Sequence, residues 1–459
     1  MNKVTQALCV AVVMAGAILP LPAAETNRVV QPMPSLSTPL SPSDAVNQAL
    51  EHNSTVRKAQ DDLEAAYGVV VQTRAIAIPK VKVGADYTAT SGIEAFPFGG
   101  FSTQNDQTWS SHIRVVQSIY EGGRIRSALR TAQLTREQAV LRYQSVVADT
   151  ILEVRVAYYD ALLAAQQIVV QEASIGLLQR EWEDATRRFE AGTVPRFNVL
   201  RAEVEVANAR PRVIRARNAL RLSKNNLALL LGYDLPPGVW EDIPLQLTGR
   251  LEAEPYEIGM PDALAQALEK RPELGALRKS ESIREQAITQ ARAGYKPSVQ
   301  IFGGYGARNS TFSPDLTRDV AGWQAGAQLN WDVFDGFLTR GKIQEARALH
   351  KRAQEEVVET TRRVELEVRT AYSNFIEARE VLESQKKVQE QAEEALRLAT
   401  SRNQAGTGTQ LDVLNAQTAL TQARTTQIQA LRDYAAARAR LERATGANVS
   451  QIATPLPNR

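Results

Sequence analysis

Residues 124–191 contain no proline and a single glycine, Gly176, over 68 positions. One helix of that length would run about 100 Å, against roughly 11 to 12 residues for an average globular helix. A compact core cannot hold it, so the stretch belongs to a coiled coil or spans a distance. It is preceded by the alternating run TWSSHIRVVQSIY and by the break Glu121-Gly122-Gly123. The arrangement recurs as QAGAQLNWDVF, then Asp335-Gly336, then residues 339–405, again free of proline. Whatever the chain does, it is built twice.

The copies can be set in register by hand. Asp44, Leu50, Pro79 and Tyr87 match Asp262, Leu268, Pro297 and Tyr305 at an offset of 218, whereas Trp109, Gly122, Arg155, Gly192, Leu200 and Gly232 match Trp323, Gly336, Arg369, Gly406, Leu414 and Gly446 at an offset of 214. The change falls between the paired strands, where the glycine-rich segment GIEAFPFGGFSTQND, carrying Phe96, Phe98 and Phe101, reads as a loop. The expected division is a signal peptide (1–24), an extended proline-rich strap (25–43), a first repeat (44–232), a connector containing the strand-like PLQLTGRLE (233–261), a second repeat (262–446) and a tail (447–459).

The first residues carry Lys3, an apolar run over 7–19 and small residues at Ala23 and Ala24, the pattern of a secretory signal. Beyond residue 24 no segment reads as a transmembrane helix. The only cysteine, Cys9, lies inside the apolar run, so the mature chain is expected to have no disulfide and no thiol chemistry. A formal net charge of +3 with interleaved signs leaves no nucleic-acid patch. The three histidines, His52, His112 and His350, are isolated, and no cluster has metal-ligand spacing. Neither catalysis, nor a metal, nor a cofactor is expected.

Residues 44–78 read as one helix and 196–231 as another. Placed end to end they match the long helix, so each repeat can form a uniform coiled coil, with apolar stripes rich in small residues such as Val140, Tyr143, Val147, Thr150, Val154, Ala157, Ala161 and Ala164 permitting close packing. Helices alone leave a soluble bundle open. The strands favour another answer. Val81, Val83, Ala85 and Tyr87 alternate with polar or small residues, and Trp323, Ala325, Ala327, Leu329, Trp331 and Val333 alternate with Gln324, Gly326, Gln328, Asn330 and Asp332. Alternation with Tyr and Trp near the strand ends marks an outer-membrane barrel wall, and Tyr87, Trp109, Tyr305, Trp323 and Trp331 are its expected aromatics. Four strands cannot close a barrel, and about eight fill their own interior. Three chains would supply twelve, enough for a lumen.

The YEGG and FDGF turns from strand to long helix, Pro79 and Pro297 before each strand pair, and the hairpin tips AGTVPRFNVL and AGTGTQLDVLNAQ together make the chain resemble the TolC-like outer-membrane efflux protein family across essentially all of the mature sequence. The resemblance implies a mainly α fold with a small β part: a homotrimer whose 12-stranded β-barrel in outer-membrane lipid continues as an α-helical periplasmic tunnel. It implies a conduit for efflux or type I secretion that works with a periplasmic adaptor protein and an inner-membrane transporter. It also places a gate at the tips, where Asp412 matches an acidic gate position, while Asn415 and Asn198 stand where acidic residues are often found and Gly408 replaces a basic one. Gly192, Thr193, Gly406 and Thr407 match the adaptor-docking tips. Asp412 has a second reading as a carboxylate in the first turn of a helix, after Thr409. The competing function is a periplasmic coiled-coil adaptor or structural protein without a channel.

Overall fold

The computed structural model describes residues 39–95, 101–233, 243–309 and 319–447. The expected signal peptide, most of the strap, Phe96, Phe98 and nearly all of the tail lie outside the described residues. Each repeat runs helix, helix, strand, strand, long helix, return helix: α1 (Pro42–His52), α2 (Ser54–Arg74), β1 (Lys80–Ala95), β2 (Phe101–Glu121), α3 (Arg124–Glu190) and α4 (Arg196–Leu231), then α5 (Met260–Lys270), α6 (Pro272–Arg292), β3 (Ser298–Asn309), β4 (Asp319–Asn330), α7 (Leu338–Gln404) and α8 (Gln410–Thr445). The long helices α3 and α7 have 67 residues each. The chain divides into two compact units, one of Tyr67–Arg136 with Glu281–Arg352 and the other built from the remaining described residues.

The first helix of each repeat is shorter than the sequence suggests. Ser41 caps α1 in a reciprocal box with Asp44, but at Asn53 the backbone turns extended (φ −61°, ψ 129°). The Asn53 side chain makes the break useful: its Nδ2 donates to the Leu230 carbonyl at 2.7 Å, and its Oδ1 accepts from Thr55 N at 2.7 Å, starting α2. The second repeat breaks at the matching Arg271, where Pro272 disfavours helix for the residue before it. We expect Asn53→Ala to lower stability by about 1–2 kcal/mol, the cost of losing a cap, read as an earlier urea midpoint.

The sheet has the order β1-β2-β3-β4, antiparallel throughout. Its two hairpins share one register: Lys80 pairs with Val116 and Tyr87 with Trp109 in the first, and their counterparts Ser298 with Asn330 and Tyr305 with Trp323 in the second. Pairing continues to Ala95 and Phe101 in the first hairpin, where the sequence suggests loop, because strands already in register extend at little cost in chain entropy. The PLQLTGRLE segment, in contrast, makes an isolated bridge between Leu40 and Leu247 and, among the described residues, joins no named strand. With the preceding Ile243 it serves as packing instead, burying Ile243, Leu245 and Leu251 against Val154, Tyr158, Leu227 and Leu231. Tyr158 fixes this layer, its hydroxyl donating to Leu40 O at 2.9 Å and accepting from Gly249 N at 3.0 Å.

One 18-residue window of α3 does reach a mean hydropathy of 1.4, enough by length and composition to cross a membrane, although only 28% of it is buried within the chain. The sequence reading missed it because alanine-rich packing stripes raise hydropathy without a run of large apolar residues. Of the expected stripe, Val147, Thr150, Val154, Ala157, Ala161 and Ala164 are buried along that helix, while Val140 and Tyr143 are half-buried. Beside them α3 and α8 exchange ion pairs of alternating sense: Asp149 with Arg443 at 2.7 Å, Arg155 with Glu442 at 2.5 Å and Asp160 with Arg432 at 2.5 Å. Arg443 also pairs with Glu273, and Arg271 with Glu367 at 2.6 Å, so the two repeats are joined through a cluster of two buried arginines and more exposed carboxylates.

Candidate functional site at the helical hairpin tips

Both long helices end in the same turn. Gly192 (φ 75°) and Gly406 (φ 74°) adopt the left-handed conformation that glycine reaches without a Cβ penalty. Thr193 N donates to Arg188 O at 2.9 Å and Thr407 N to Arg402 O at 3.0 Å, with each threonine hydroxyl donating to the same carbonyl. The four tip residues therefore first satisfy the end of a helix, and Gly192, Thr193, Gly406 and Thr407 remain exposed.

The return helices start differently. Thr409 caps α8 in a reciprocal box, its Oγ1 accepting from Asp412 N at 3.2 Å while Asp412 Oδ2 accepts from Thr409 N at 3.0 Å and from its hydroxyl at 2.8 Å. Those backbone and side-chain donors, with Arg402 adding its charge, hold the Asp412 carboxyl below the usual range. In the first repeat Pro195 takes the Thr409 position and gives no side-chain cap, and Asn198 stands where Asp412 does. Asn415 is exposed one turn further along α8. Among the described residues, Asp412, Asn415 and Asn198 are not bonded to one another.

The tips nevertheless meet in a cleft of about 540 Å³, to which the first hairpin brings Glu181, Asp184, Arg188, Thr193 and Asn198 and the second brings Gly406, Thr409 and Gln410. Asp412 and Asn415 are not among its lining. Glu181 and Gln410 are the residues that sequence reasoning missed; the 181, 184, 188 spacing of charges on one helix face was the available signal. Burial pushes the Glu181 carboxyl up, neighbouring Asp184 pushes it further, and Arg188 and the Gln410 amide oppose them. Arg188 is itself engaged by Asp184 at 2.8 Å. Both Gln410 amide atoms are shut from water without meeting hydrogen-bond geometry, so the amide biases the carboxyl by proximity.

A raised carboxylate favours the folded tip in its protonated form. That contribution is present at acid pH and is lost as pH rises through the folded value. Asp412 has the opposite sign: its contribution is present above its unfolded value and is lost as pH falls through the depressed one. Glu181→Gln is therefore expected to slow amide hydrogen exchange at the tips at neutral pH while leaving the acid-side loosening in place. Equal exchange in both proteins at neutral pH would remove Glu181 from the account.

The other expected feature is the wall. Tyr87 and Trp109 face each other across the first hairpin and Tyr305 and Trp323 across the second. The face they share also carries Val81, Val83, Ile113, Ile301 and Leu329, all exposed, with Val83 77% and Trp323 81% accessible. The opposite face carries Lys80, Lys82, Asp86, His112, Arg114, Gln324 and Gln328. Trp331 is exposed one residue beyond the end of β4 at Asn330, and its indole donates to Tyr295 O at 3.2 Å. The chain then turns toward α7, with Asp335 Oδ2 accepting from Thr339 N at 2.8 Å.

The family profile described as outer membrane efflux protein matches residues 45–233 and 263–447. The outer membrane protein TolC of Escherichia coli (strain K12) is 24% identical over 387 residues, covering 81% of this chain and 75% of TolC. The cobalt-zinc-cadmium resistance protein CzcC of Cupriavidus metallidurans is 25% identical, covering 84% of this chain and 85% of CzcC. The crystal structure of the Campylobacter jejuni CmeC outer membrane channel superposes with a TM-score of 0.76 at 16% identity, covering 90% of this chain and 88% of that one. With the profile matching both repeats nearly end to end, the chain belongs to the outer membrane efflux protein family.

Proposed function

We propose that three copies of the chain form an outer-membrane exit channel, in which the sheets close a twelve-stranded barrel and the helices wall a periplasmic conduit gated at the hairpin tips. The observation that carries this reading is the sheet itself: one of its faces is apolar and exposed, and among the described residues its edge strands β1 and β4 pair with no further strand. A flat exposed edge of this kind is an aggregation hazard unless another chain covers it. Closure in a ring removes the edges, and lipid takes the apolar face.

Two further features support the assembly. Tyr305 stands across β2 from Ile113, four residues along from Trp109, so the two aromatic pairs come level only when the strands tilt, as they do in a closed barrel. On α4 the residues Phe197, Leu200, Val204, Ile214, Leu222 and Leu229 form an exposed apolar stripe at helical spacing, a surface suited to a neighbouring copy. The exposed tips at Gly192, Thr193, Gly406 and Thr407 fit an adaptor, and export by an inner-membrane transporter fits a family that includes CzcC-like and TolC-like relatives.

Fractionation tests the assembly: the mature protein should be extracted from outer membranes by detergent as a trimer that conducts ions in planar bilayers. Recovery as a soluble periplasmic monomer would leave the adaptor reading standing. For the gate, Asp412→Ala should raise conductance. Thr409→Val separates the two roles of Asp412, because it breaks the capping box and keeps the charge. If both variants conduct alike, the helix start is what holds the gate; a change confined to Asp412→Ala assigns the effect to charge.

A further inference from the structure

The polar face of the sheet differs between the two repeats. In the first hairpin Lys80, Lys82 and Arg114 lie together at the end nearest the helices, Lys82 directly opposite Arg114. The matching positions of the second hairpin are Ser298, Gln300 and Gln328, with Gln300 opposite Gln328. Lys80 and Lys82 are exposed, and among the described residues neither has a carboxylate partner. Arg114 is held in place, its guanidinium 4.1 Å above the Phe302 ring, and its Nε is buried without a hydrogen-bond partner. Glycines on this face, Gly84 against the His112 ring and Gly326 against the Phe302 ring, leave room for those side chains to lie along the sheet. Two described carboxylates share this face: Glu121, opposite Ser298, is buried and neutralised by Arg124 at 2.5 Å, and Asp86 sits further along the hairpin and accepts from Ser110 at 2.6 Å.

We infer that Lys80, Lys82 and Arg114 of three chains form a basic collar at the helical end of the barrel lumen, which draws anionic solutes into the barrel and gives the channel a preference for negatively charged cargo. The inference rests on the channel reading, since the polar face lines a lumen only if the barrel closes. The physics is that of a charged ring between low-dielectric walls, which concentrates counter-ions of opposite sign. The collar is built by one repeat alone, so it is a property of this sequence and not of the duplicated scaffold. It acts at the barrel, apart from the tip residues that govern opening.

The test uses the full-length trimer in planar bilayers across a KCl gradient of about 10 mM to about 100 mM, where screening is weak. It is run in the native chain and in one opened at the tip by Asp412→Ala with Arg188→Ala. The reversal potential should show chloride favoured over potassium by about two- to threefold, the ratio falling toward unity near 1 M salt, where the Debye length is about 3 Å. Lys80→Glu with Lys82→Glu alters two exposed side chains and should invert the preference, while Gln300→Lys should strengthen it. Potassium preference in the native chain, or a ratio that ignores the double substitution, overturns the collar and leaves the channel intact. An inserted trimer that passes no current even in the opened background overturns the channel reading, and the collar with it.

Discussion

Arg443→Leu is expected to lower stability by about 1–3 kcal/mol, less than the ~3–5 kcal/mol of a fully buried ion pair, because its partners Glu273 and Asp149 are 27% and 56% exposed. Arg443 leaves α8 near its end, and its side chain, 6% exposed, reaches Asp149 of α3 and Glu273 of α6. Burial pushes the Glu273 carboxyl up, but Arg443 and then Arg271 overcome it and hold the group below the usual range. Without Arg443 a half-buried carboxylate is left beside only Arg271, at 3.5 Å. Arg271 Nε and Glu273 Oε2 have no hydrogen-bond partners in the intact cluster, so Arg271 can close on Glu273 and offset part of the loss. Because the Glu273 value is depressed, its contribution is present above the unfolded carboxylate range and is lost as pH falls through the folded value. Urea midpoints of the detergent-solubilised protein should therefore decline on acidification in the native chain and depend less on pH in Arg443→Leu. Adding Glu273→Leu should restore part of the loss, since an apolar pair of similar volume removes the uncompensated charge. A single-variant cost under about 1 kcal/mol would place the cluster among ion pairs that contribute little.

Gly122→Ala should be far more damaging than Gly336→Ala, although the two glycines occupy matching positions and both have φ 64°. Each substitution carries the left-handed strain of about 1 kcal/mol. At Gly336 an added Cβ meets nothing within 4 Å, so the strain is the whole cost. At Gly122 the Cβ would stand 2.7 Å from the Ala293 carbonyl oxygen and 2.9 Å from Lys296 Cβ. The first of those atoms is backbone and cannot rotate away, so the strand-to-helix junction must shift, at a further cost of about 1–3 kcal/mol. Trimer yield after detergent extraction should fall sharply for Gly122→Ala and little for Gly336→Ala. Equal yields would mean that the turn, and not its close approach to residues 293–296, makes the glycine necessary.

Long proline-free runs, the αL glycines and the alternating strands are local signals, and α3, α4, α7, α8 and both hairpin tips follow them closely. The break at Asn53 was hidden because its cause is a hydrogen bond to Leu230, 177 positions away; Pro272 in the second copy was the clue, since it matches Ser54. The hairpin beyond Thr90 reads as loop from its glycine and phenylalanine content, yet ladder pairing continues there. At the tips, the letters point to Asp412, Asn415 and Asn198, whereas the cleft gathers Glu181, Asp184, Arg188 and Gln410 from two hairpins. Which side chains share a cleft is set by helix rotation, and that depends on packing along the whole rod. For the same reason the Asp149 and Arg443 pair, separated by 294 positions, leaves no trace in the spacing of either helix.

The shared register of the two hairpins has a consequence for the outer face. Pairing starts at matching residues in both, and the first hairpin has four more residues between Tyr87 and Trp109 than the second has between Tyr305 and Trp323. Two more residues per strand, at about 3.4 Å each, let the first hairpin reach about 7 Å further along the strand direction. In the trimer proposed above, three taller hairpins would then alternate with three shorter ones, giving a threefold crest on a nearly sixfold body, and substitutions in the first repeat would weigh more at that crest than those in the second.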